Sequence, residues 1–560
     1  MTFALPKNPR HWMAVLSLLI CVVLSLARLQ ATSYSGRYVG HLDERRLFKQ
    51  AVTVIEGDLN PHSFKYPSLP IYLTAAAMKG SLVFFPVETQ GAQHVFHLPQ
   101  VKGQRYHPSR PMEHARLVFS LLAALLFFLV ALLSVQLTGS LAPACLAPLL
   151  LSLDPLVQCQ SVVYQNVDLP ATLFSLAALA SAFLSSGSWG KSSLLLHGVF
   201  PGVLCGFAIA SKYNAGVVLL SCALAVLVAP AAKQRWITLS TLGLSAVAAF
   251  VMTVPYSILD FEHFRADVLF EIRHYQTGHP GYDGEPGWSQ LCYYLAHIKS
   301  SYGALLCSAA VVGLLWGLKE RPRPTLVVLS FPLLMLLHMS TNRVHFLRTV
   351  LPVFVLVPVL ASVGAFAFYD LATQLGGRYW KWVVVSVFLV ATFTHAEAGR
   401  ILDRNIRADT RDRAAAWLID NTQGAAHYYV SRDLWMPKED LPGARASYLG
   451  RNQERTLHQL LKASGPAYLL MPHYGSPEDV PPAVRRDETE RARYLDHSRH
   501  LAEVANREQH KLMEKLNARR MVVIEGKPSA LRSELEKAIS TDHPQIEIYY
   551  WPGHVTPSKS

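Results

Sequence analysis

Charged side chains are scarce in this chain. Only 16% of its 560 residues are Asp, Glu, Lys or Arg, whereas 51% are apolar, and a soluble globular protein has roughly 25% charged residues. These proportions exclude a disordered protein and an ordinary soluble enzyme. The seven cysteines form no CxxC pair, and most lie in or beside apolar runs. Neither a structural zinc site nor a disulfide framework is therefore indicated.

Eleven apolar runs predict membrane-spanning helices, because a bilayer core about 30 Å thick needs roughly 20 apolar helical residues. The runs are 12–29, 115–137, 141–157, 169–184, 193–210, 215–229, 236–258, 302–318, 325–339, 349–368 and 382–392. A twelfth run, 66–86, contains Pro67, Pro70 and Lys79. We expect this twelfth run to lie along the outer surface.

The placement of charge predicts the sidedness of these spans. The tail 397–560 contains 25 basic and 23 acidic residues, so nearly all of the net charge of +13 belongs to the apolar part. There, Lys and Arg in short loops mark the cytoplasmic side. If the N-terminus is cytoplasmic, eleven spans place every short basic loop on the cytoplasmic side. A twelfth span at 66–86 would move all the later basic loops to the opposite side of the membrane. We therefore expect long outward-facing loops at 30–114 and 259–301. The first span is predicted to be retained, because no A-x-A cleavage site follows it.

The fold class predicted from these patterns is a polytopic α-helical membrane domain, 1–396, followed by a soluble, outward-facing α/β domain, 397–560. The tail begins with an amphipathic helix at 409–422. It continues with apolar runs typical of strands at 427–430, 468–471, 521–524 and 546–551. Helical stretches lie between these runs, including a charged one at 484–518. The tail has no catalytic motif, so acceptor binding or structural support is its expected role.

Acidic residues beside apolar spans are the most informative, because burying an unpaired charge in a membrane is costly. Asp43 and Glu44 follow the first span, and Asp168 lies between the third and fourth spans. On the eleven-span topology these residues face the same side, where converging carboxylates could activate a hydroxyl, hold a divalent cation, or both. Structural alternatives remain open: Asp168 suits a helix N-cap, and Asp43-Glu44 followed by two arginines suits an ion-paired helix start.

Five short motifs occur in order along 10–395. They are Leu42-Asp43-Glu44, the segment 57–70 with Lys65, the run 164–170 with Asp168, the turn 207–213 with Lys212 and the segment 345–352 with Arg348. This set resembles the membrane-embedded glycosyltransferases of the GT-C fold that use polyprenyl-phosphate sugars. That superfamily includes the protein O-mannosyltransferases and the aminoarabinose transferases that modify lipid A. This chain differs in having Lys65-Tyr66-Pro67 where relatives often have Lys-Pro-Pro, and Thr349 where they often have Tyr.

The resemblance implies transfer of a sugar from a polyprenyl phosphate to an acceptor hydroxyl at the outer face of the membrane, with inversion at the anomeric carbon. Carried over to this sequence, Asp43 would be the general base. Glu44 would orient the acceptor or the base. Asp168 would shape the acceptor site or hold a divalent cation, if the reaction uses one.

The resemblance also implies cations that stabilise the charge developing on the lipid phosphate. The outward-facing candidates are Arg348, Lys212, Lys65 and Arg343, for which snorkelling to lipid headgroups is the alternative role. In the loop 259–301, His274 and His279 are candidates for contact with the donor or with a metal. Closure of this loop over the donor and an interfacial aromatic belt are both open interpretations.

The expected partners are a polyprenyl-phosphate sugar, an acceptor that is a protein, lipid or polysaccharide, and membrane lipids, with no nucleic acid. A bacterial inner membrane, with the site and tail facing the periplasm or exterior, fits best, and an endoplasmic reticulum protein stays open. The alternative functions are an oligosaccharide ligase or polymerase using a pyrophosphate-linked donor, a secondary transporter, and a noncatalytic scaffold. A transporter fits less well because the sequence shows no internal repeat.

Overall fold

The structure is a computed structural model that describes two compact parts of the chain, each considered by itself. The described residues are 9–35, 42–84, 110–158, 160, 165–184, 194–229, 235–279, 284–374, 410–422, 427–431, 446–449, 467–473, 510–511, 513–514, 518–524 and 545–551. The predicted boundary at Glu397 lies outside these residues and stays a prediction.

The first part consists of helices in its described residues. In chain order they are α1 Pro9–Ser35, α2 Leu42–Ile55, α3 Ser68–Phe84, α4 Arg110–Thr138, α5 Ala142–Ser152, α6 Pro155–Gln158, α7 Asp168–Leu184, α8 Phe200–Ser211, α9 Val218–Val228, α10 Arg235–Thr253, α11 Tyr256–Leu259, α12 Phe261–Thr277, α13 Trp288–Glu320, α14 Pro322–Ser340 and α15 Leu351–Gln374. A π-helical turn, Leu195–Val199, precedes α8. Turns of 3-10 helix, Tyr213–Val217 and Leu347–Val350, precede α9 and α15.

The expected membrane spans coincide with these helices. Within the described residues, six helices are long and apolar enough to cross a membrane, and four shorter apolar helices accompany them. Together they account for the first ten predicted spans, and the eleventh, 382–392, lies outside the described residues. The prediction of a polytopic helical membrane protein is confirmed.

Much of the predicted outer loop 259–301 is helical. It contains α12 and the first turns of α13, which is continuous from Trp288 to Glu320 apart from a non-helical residue at Gly303. The twelfth apolar run forms α3, which packs against α2. Leu47 of α2, Ile71 of α3 and Val167 form a buried cluster between them. This cluster fixes the start of α2 next to the start of α7.

Close approach of small residues sets the packing of α13 against α15. A Cβ atom added to Gly364 would overlap the carbonyl oxygen of Ala309, and one added to Gly313 would overlap the carbonyl oxygen of Leu360. Small residues allow membrane helices to approach closely where there is no hydrophobic driving force between them. The middle of α15 is thereby held against α13.

The second part contains a helix and a mixed sheet. Its described elements are α16 Thr410–Thr422, β1 His427–Ser431, β2 Ala446–Leu449, β3 Ala467–His473, β4 Arg519–Ile524 and β5 Gln545–Trp551. The strand order is β2-β1-β3-β5-β4. The β1 strand is parallel to β2 and β3, and β5 is antiparallel to β3 and β4. Helix α16 and four of these strands match the predicted elements. The short strand β2 was not predicted, and most of 484–518 lies outside the described residues.

Candidate active site

The two acidic residues in the first turn of α2 have different partners. The Asp43 carboxylate lies 2.8 Å from Nη2 of Arg348. Glu44 is 1% exposed and accepts hydrogen bonds from Nε and Nη2 of Arg116 at 2.6 and 2.8 Å. It accepts a third from the backbone N–H of Gln165 at 3.1 Å. Successive residues lie roughly 100° apart around a helix axis, so the two carboxylates cannot point in one direction.

Asp168 lies at the start of α7 and pairs with two cations. Its Oδ1 contacts Nζ of Lys212, and its Oδ2 lies 3.7 Å from Nε of Arg348. The Asp168 side chain is only 2% exposed. Charge pairing is therefore what this geometry supports for Asp168, in preference to a simple helix cap. Asp154, by contrast, does cap a helix, because its Oδ1 accepts the backbone N–H of Val157 at 2.7 Å.

Arg348 joins the two aspartates. It lies in the turn Leu347–Val350, with its guanidinium 4.5 Å from the centre of the Phe346 ring. Its Nη2 lies 2.8 Å from Asp43 Oδ2, and its Nε lies 3.7 Å from Asp168 Oδ2. Lys212 completes the group from the break between α8 and the turn Tyr213–Val217, where its backbone is extended. Four residues singled out from the sequence thus form one cluster: Asp43, Asp168, Lys212 and Arg348.

Two other predicted phosphate ligands have different contacts. The Lys65 ammonium lies 3.9 Å from the centre of the Phe270 ring, on α12. Arg343 forms an ion pair with the exposed Glu285 at 2.9 Å, and its backbone N–H donates to the carbonyl of Tyr275. Neither contact joins the aspartates. The assignment of Lys65 and Arg343 to the donor phosphate stays a prediction.

The two candidate histidines lie side by side at the end of α12. The rings of His274 and His279 are perpendicular, with centroids 5.2 Å apart, and His279 also contacts Phe346 at 5.3 Å. Burial, with the charge of Lys65 adding to it, lowers the pKa of His274. Over the described ranges, no three His, Cys, Asp or Glu side chains are grouped so that they could hold a metal ion.

Sequence reasoning missed four residues around the cluster. Arg116 neutralises Glu44, as described above. The Arg46 guanidinium lies 5.5 Å from the centre of the Tyr66 ring, and burial, followed by the charge of Asp43, raises the pKa of Tyr66 well above its usual value. On α12, burial raises the pKa of Glu271, while the charges of Arg46, Lys65 and Lys212 oppose that rise. Two of these residues could have been found from the sequence. Arg116 is a charged residue at the start of an apolar run, and Tyr66 stands where the superfamily pattern has proline.

The segment carrying Lys65 and Tyr66 is hydrogen-bonded to the region of α12 and to the turn Tyr213–Val217. The Asn60 side chain donates to Asp260 at 2.8 Å. The backbone N–H of Phe64 donates to Asp267 at 2.7 Å, and the hydroxyl of Tyr213 donates to the carbonyl of Phe64 at 2.8 Å. These bonds come from residues far apart in sequence. They fix the backbone immediately before Lys65 and Tyr66.

Comparison with known proteins identifies the architecture. Residues 91–264 match the family model of dolichyl-phosphate-mannose-protein mannosyltransferases. The apo structure of ArnT from Cupriavidus metallidurans is similar with a TM-score of 0.52 and 14% identity, covering 97% of this chain and 98% of that one. The chain has the GT-C fold. The ArnT structure bound to undecaprenyl phosphate gives a TM-score of 0.51 and 16% identity over 83% of this chain and 94% of that one.

These matches confirm the resemblance drawn from the motifs. The proteins that share this family model and this fold are glycosyltransferases. An archaeal oligosaccharyltransferase, AglB from Archaeoglobus fulgidus, is similar over 81% of this chain and 69% of that one, with a TM-score of 0.47 and 11% identity. No curated protein sequence matches the chain. The chain is an integral, multi-pass membrane protein.

Proposed function

We propose that this protein transfers a sugar from a polyprenyl-phosphate donor to an acceptor hydroxyl at the outer face of the membrane, with inversion at the anomeric carbon. The observation that carries the proposal is the position of Arg348 between Asp43 and Asp168, with Lys212 beside Asp168. This arrangement brings together a carboxylate that can accept a proton, Asp43, and two cations that can bind a phosphate, Arg348 and Lys212. The ArnT relative bound to undecaprenyl phosphate supports the choice of donor.

The charge in and around the cluster suits such a donor. The four residues of the cluster are balanced in charge, and the surrounding Arg46, Lys65 and Glu271 add one net positive charge. Glu44 is already neutralised by Arg116 and does not enter this balance. A sugar linked to a polyprenyl phosphate is a phosphodiester with one negative charge. The excess positive charge around the cluster matches it.

The proposed reaction is a single displacement. The acceptor oxygen attacks the anomeric carbon as its proton passes to Asp43. The bond between that carbon and the phosphate oxygen breaks, and its electron pair leaves with the lipid phosphate, which gains a second negative charge. Protonated Asp43 no longer binds Arg348 as an ion pair. The Arg348 charge therefore becomes available to the leaving phosphate at the moment when that phosphate needs it.

The remaining acidic residues support this arrangement. Asp168 contacts Lys212 and lies close to Arg348, so we assign it the role of holding these cations in place. Glu44 is buried against Arg116, and we assign it to orienting the base through the first turn of α2. We assign no metal ion to the site, because both aspartates already face cations and a divalent cation there would be repelled. Transfer that persists in EDTA would support this assignment, and loss restored by Mg²⁺ or Mn²⁺ would contradict it.

The proposed sidedness follows from the basic loops of the sequence, which leave the cluster on the side opposite the cytoplasm. For a bacterial protein this places the site and the tail at the periplasmic or outer face of the inner membrane. The acceptor is a protein, a lipid or a polysaccharide with a free hydroxyl. Labelling of a cysteine introduced into the tail from outside intact spheroplasts would test this orientation.

The test of function is mass spectrometry of polyprenyl-linked sugars in membranes with wild type, Asp43→Asn, or no protein. Wild type is expected to deplete one monophosphate-linked sugar, and Asp43→Asn to leave it intact. Asp370→Asn is the matched control. Asp370 pairs with Gln374 about 20 residues along α15, roughly 30 Å from Arg348. Depletion of a pyrophosphate-linked oligosaccharide instead would favour the ligase alternative. Equal depletion by Asp43→Asn would contradict the base assignment.

A further inference from the structure

The position of Arg348 depends on a short connecting segment. Residues 341–346 join the end of α14 to the turn Leu347–Val350, in which Arg348 lies. This segment lies outside the helices, so its backbone groups need hydrogen-bond partners from other parts of the chain. The contacts that hold 341–346 therefore also determine where the Arg348 side chain begins.

Gln290, in the first turn of α13, contacts this connecting segment through its side-chain amide. The residue is 1% exposed. Its Nε2 donates hydrogen bonds to the carbonyl of Asn342 at 3.0 Å and to the carbonyl of Arg343 at 2.5 Å. Its Oε1 lies 3.0 Å from Nδ1 of His345. One buried amide thus binds three residues of the segment.

The orientation of the Gln290 amide follows from these partners. Backbone carbonyls only accept hydrogen bonds, so the amide nitrogen must face them and the amide oxygen must face His345. Nδ1 of His345 therefore carries the proton and donates it to Gln290. Burial, with the His297 charge second, lowers the pKa of His345 to about 4. The imidazole is consequently neutral at physiological pH and keeps this tautomer.

Packing supports the same contacts. The His345 ring stacks on the ring of Tyr293, with centroids 4.0 Å apart and planes inclined by 17°. A Cβ atom added to Gly284 would come within 3.2 Å of His345 Nδ1, so the chain before α13 lies directly against the imidazole. The backbone N–H of Gly284 also donates to the carbonyl of Arg343 at 2.9 Å. The residues that begin α13 thus hold the connecting segment in one position.

Arg348 needs accurate placement. Its Nη2 lies 2.8 Å from Asp43 and its Nε lies 3.7 Å from Asp168. A guanidinium presents its donors in a rigid planar fork, so a shift of the backbone that carries it would change both contacts together. A small misplacement of a group that acts in the transition state lowers the rate strongly.

We propose that Gln290 is a positioning residue for Arg348: by holding the connecting segment, its amide places the guanidinium where it meets the leaving phosphate. The inference rests on the proposed function, because it takes Arg348 as the cation that stabilises that phosphate. The hydrogen bonds described for the Gln290 side chain go to the connecting segment and not to the cluster. Gln290 therefore acts on the reaction through Arg348.

The test is a double-mutant cycle in the purified full-length protein, with wild type, Gln290→Met, Arg348→Lys and the double variant. Methionine keeps the length of glutamine and removes its hydrogen bonds. Lysine at position 348 keeps the charge but presents it as a rotatable point charge, for which the backbone orientation matters less. The measurements are kcat, KM for the polyprenyl-phosphate sugar that wild type depletes, and the melting temperature.

Gln136→Met is the matched control. The Gln136 amide also donates to a backbone carbonyl of a neighbouring helix, that of Ala180 at 3.0 Å. Ala180 lies roughly 18 Å from Asp168 along α7, so the control removes a similar bond far from the cluster. We expect Gln290→Met and Gln136→Met both to melt below wild type, with kcat and KM unchanged only for Gln136→Met.

For Gln290→Met we expect kcat to fall about tenfold. KM should change less than about twofold, because Arg348 acts mainly on the charge that develops on the leaving phosphate. In the Arg348→Lys background, Gln290→Met should lower kcat less than about twofold, because residues that act through one another are not additive. Gln290→Asn, whose amide is one methylene group shorter, should show the same dependence on Arg348 and replaces Gln290→Met if that variant does not fold.

An unchanged kcat for Gln290→Met would overturn the inference, as would a change confined to KM. An equal fall in kcat in both backgrounds would also overturn it, since Gln290 would then act independently of Arg348. These outcomes leave transfer by wild type intact. Wild type that transfers from no polyprenyl-phosphate sugar would instead refute the proposed function itself.

Discussion

The buried pair of Glu44 and Arg116 makes a sharp prediction about stability. Both side chains are 1% exposed, and Arg116 donates two hydrogen bonds to Glu44, which also accepts one from the backbone N–H of Gln165. Arg116→Met removes those two donors and leaves a carboxylate in an apolar environment. Breaking a buried pair in this way costs about 3–5 kcal/mol. We expect that loss in the free energy of unfolding.

The double variant Glu44→Gln with Arg116→Met tests the cause. With neither charge present, no ion is left buried alone, and stability should return to within about 1 kcal/mol of wild type. The control is Lys319→Met, which removes one partner of an exposed pair with Glu320, where the lysine is 82% exposed. Surface pairs contribute about 0–1 kcal/mol, so this change should have little effect.

The assay is unfolding by SDS in mixed micelles, with sugar transfer measured in parallel. Because Asp43 directly precedes Glu44 in the first turn of α2, Arg116→Met should also reduce transfer. An unchanged free energy of unfolding for Arg116→Met would refute the reasoning, since it would mean that the buried carboxylate needs no cation. A double variant as unstable as the single one would refute it too, because the cost would then come from lost packing.

Two further predictions concern packing and pH. Gly364→Ala should destabilise the protein by about 1–3 kcal/mol, because its Cβ would overlap the Ala309 carbonyl. Gly243→Ala, whose Cβ meets nothing within 4 Å, should be neutral or stabilising in the same SDS titration. Burial, with the His297 charge second, lowers the pKa of His345 to about 4. Since this lies below the unfolded value, stability is lost as pH falls from about 6.5 towards 4. His345→Gln should make the loss of unfolding free energy on acidification smaller by about 3 kcal/mol. The melting temperature of this variant should therefore change less with pH than that of wild type.

In the proposed reaction Arg348 has two tasks: it binds the base before the reaction and serves the phosphate after proton transfer. The segment that precedes Lys65 is hydrogen-bonded to Asp260, just before α12, and to Asp267 on α12.

The sequence by itself determined the membrane class, ten of the described helices and two residues of the central cluster, Asp43 and Asp168. It could do so because bilayer thickness imposes long apolar runs and because ionisable groups at such boundaries are costly unless they are paired. Lys212 and Arg348 were singled out by the resemblance to the GT-C enzymes. Four of the five described strands of the tail were also predictable. Short apolar runs bounded by polar and charged residues are typical of buried strands.

Only the tertiary structure decided which charge pairs with which. Glu44 and Asp43 are neighbours in sequence, yet one binds Arg116 and the other Arg348, because a helix directs successive side chains to different sides. Lys65, singled out for phosphate, lies over the ring of Phe270 on α12. Each of these pairings joins residues that are far apart along the chain. Such contacts depend on how helices pack, and local sequence does not encode that.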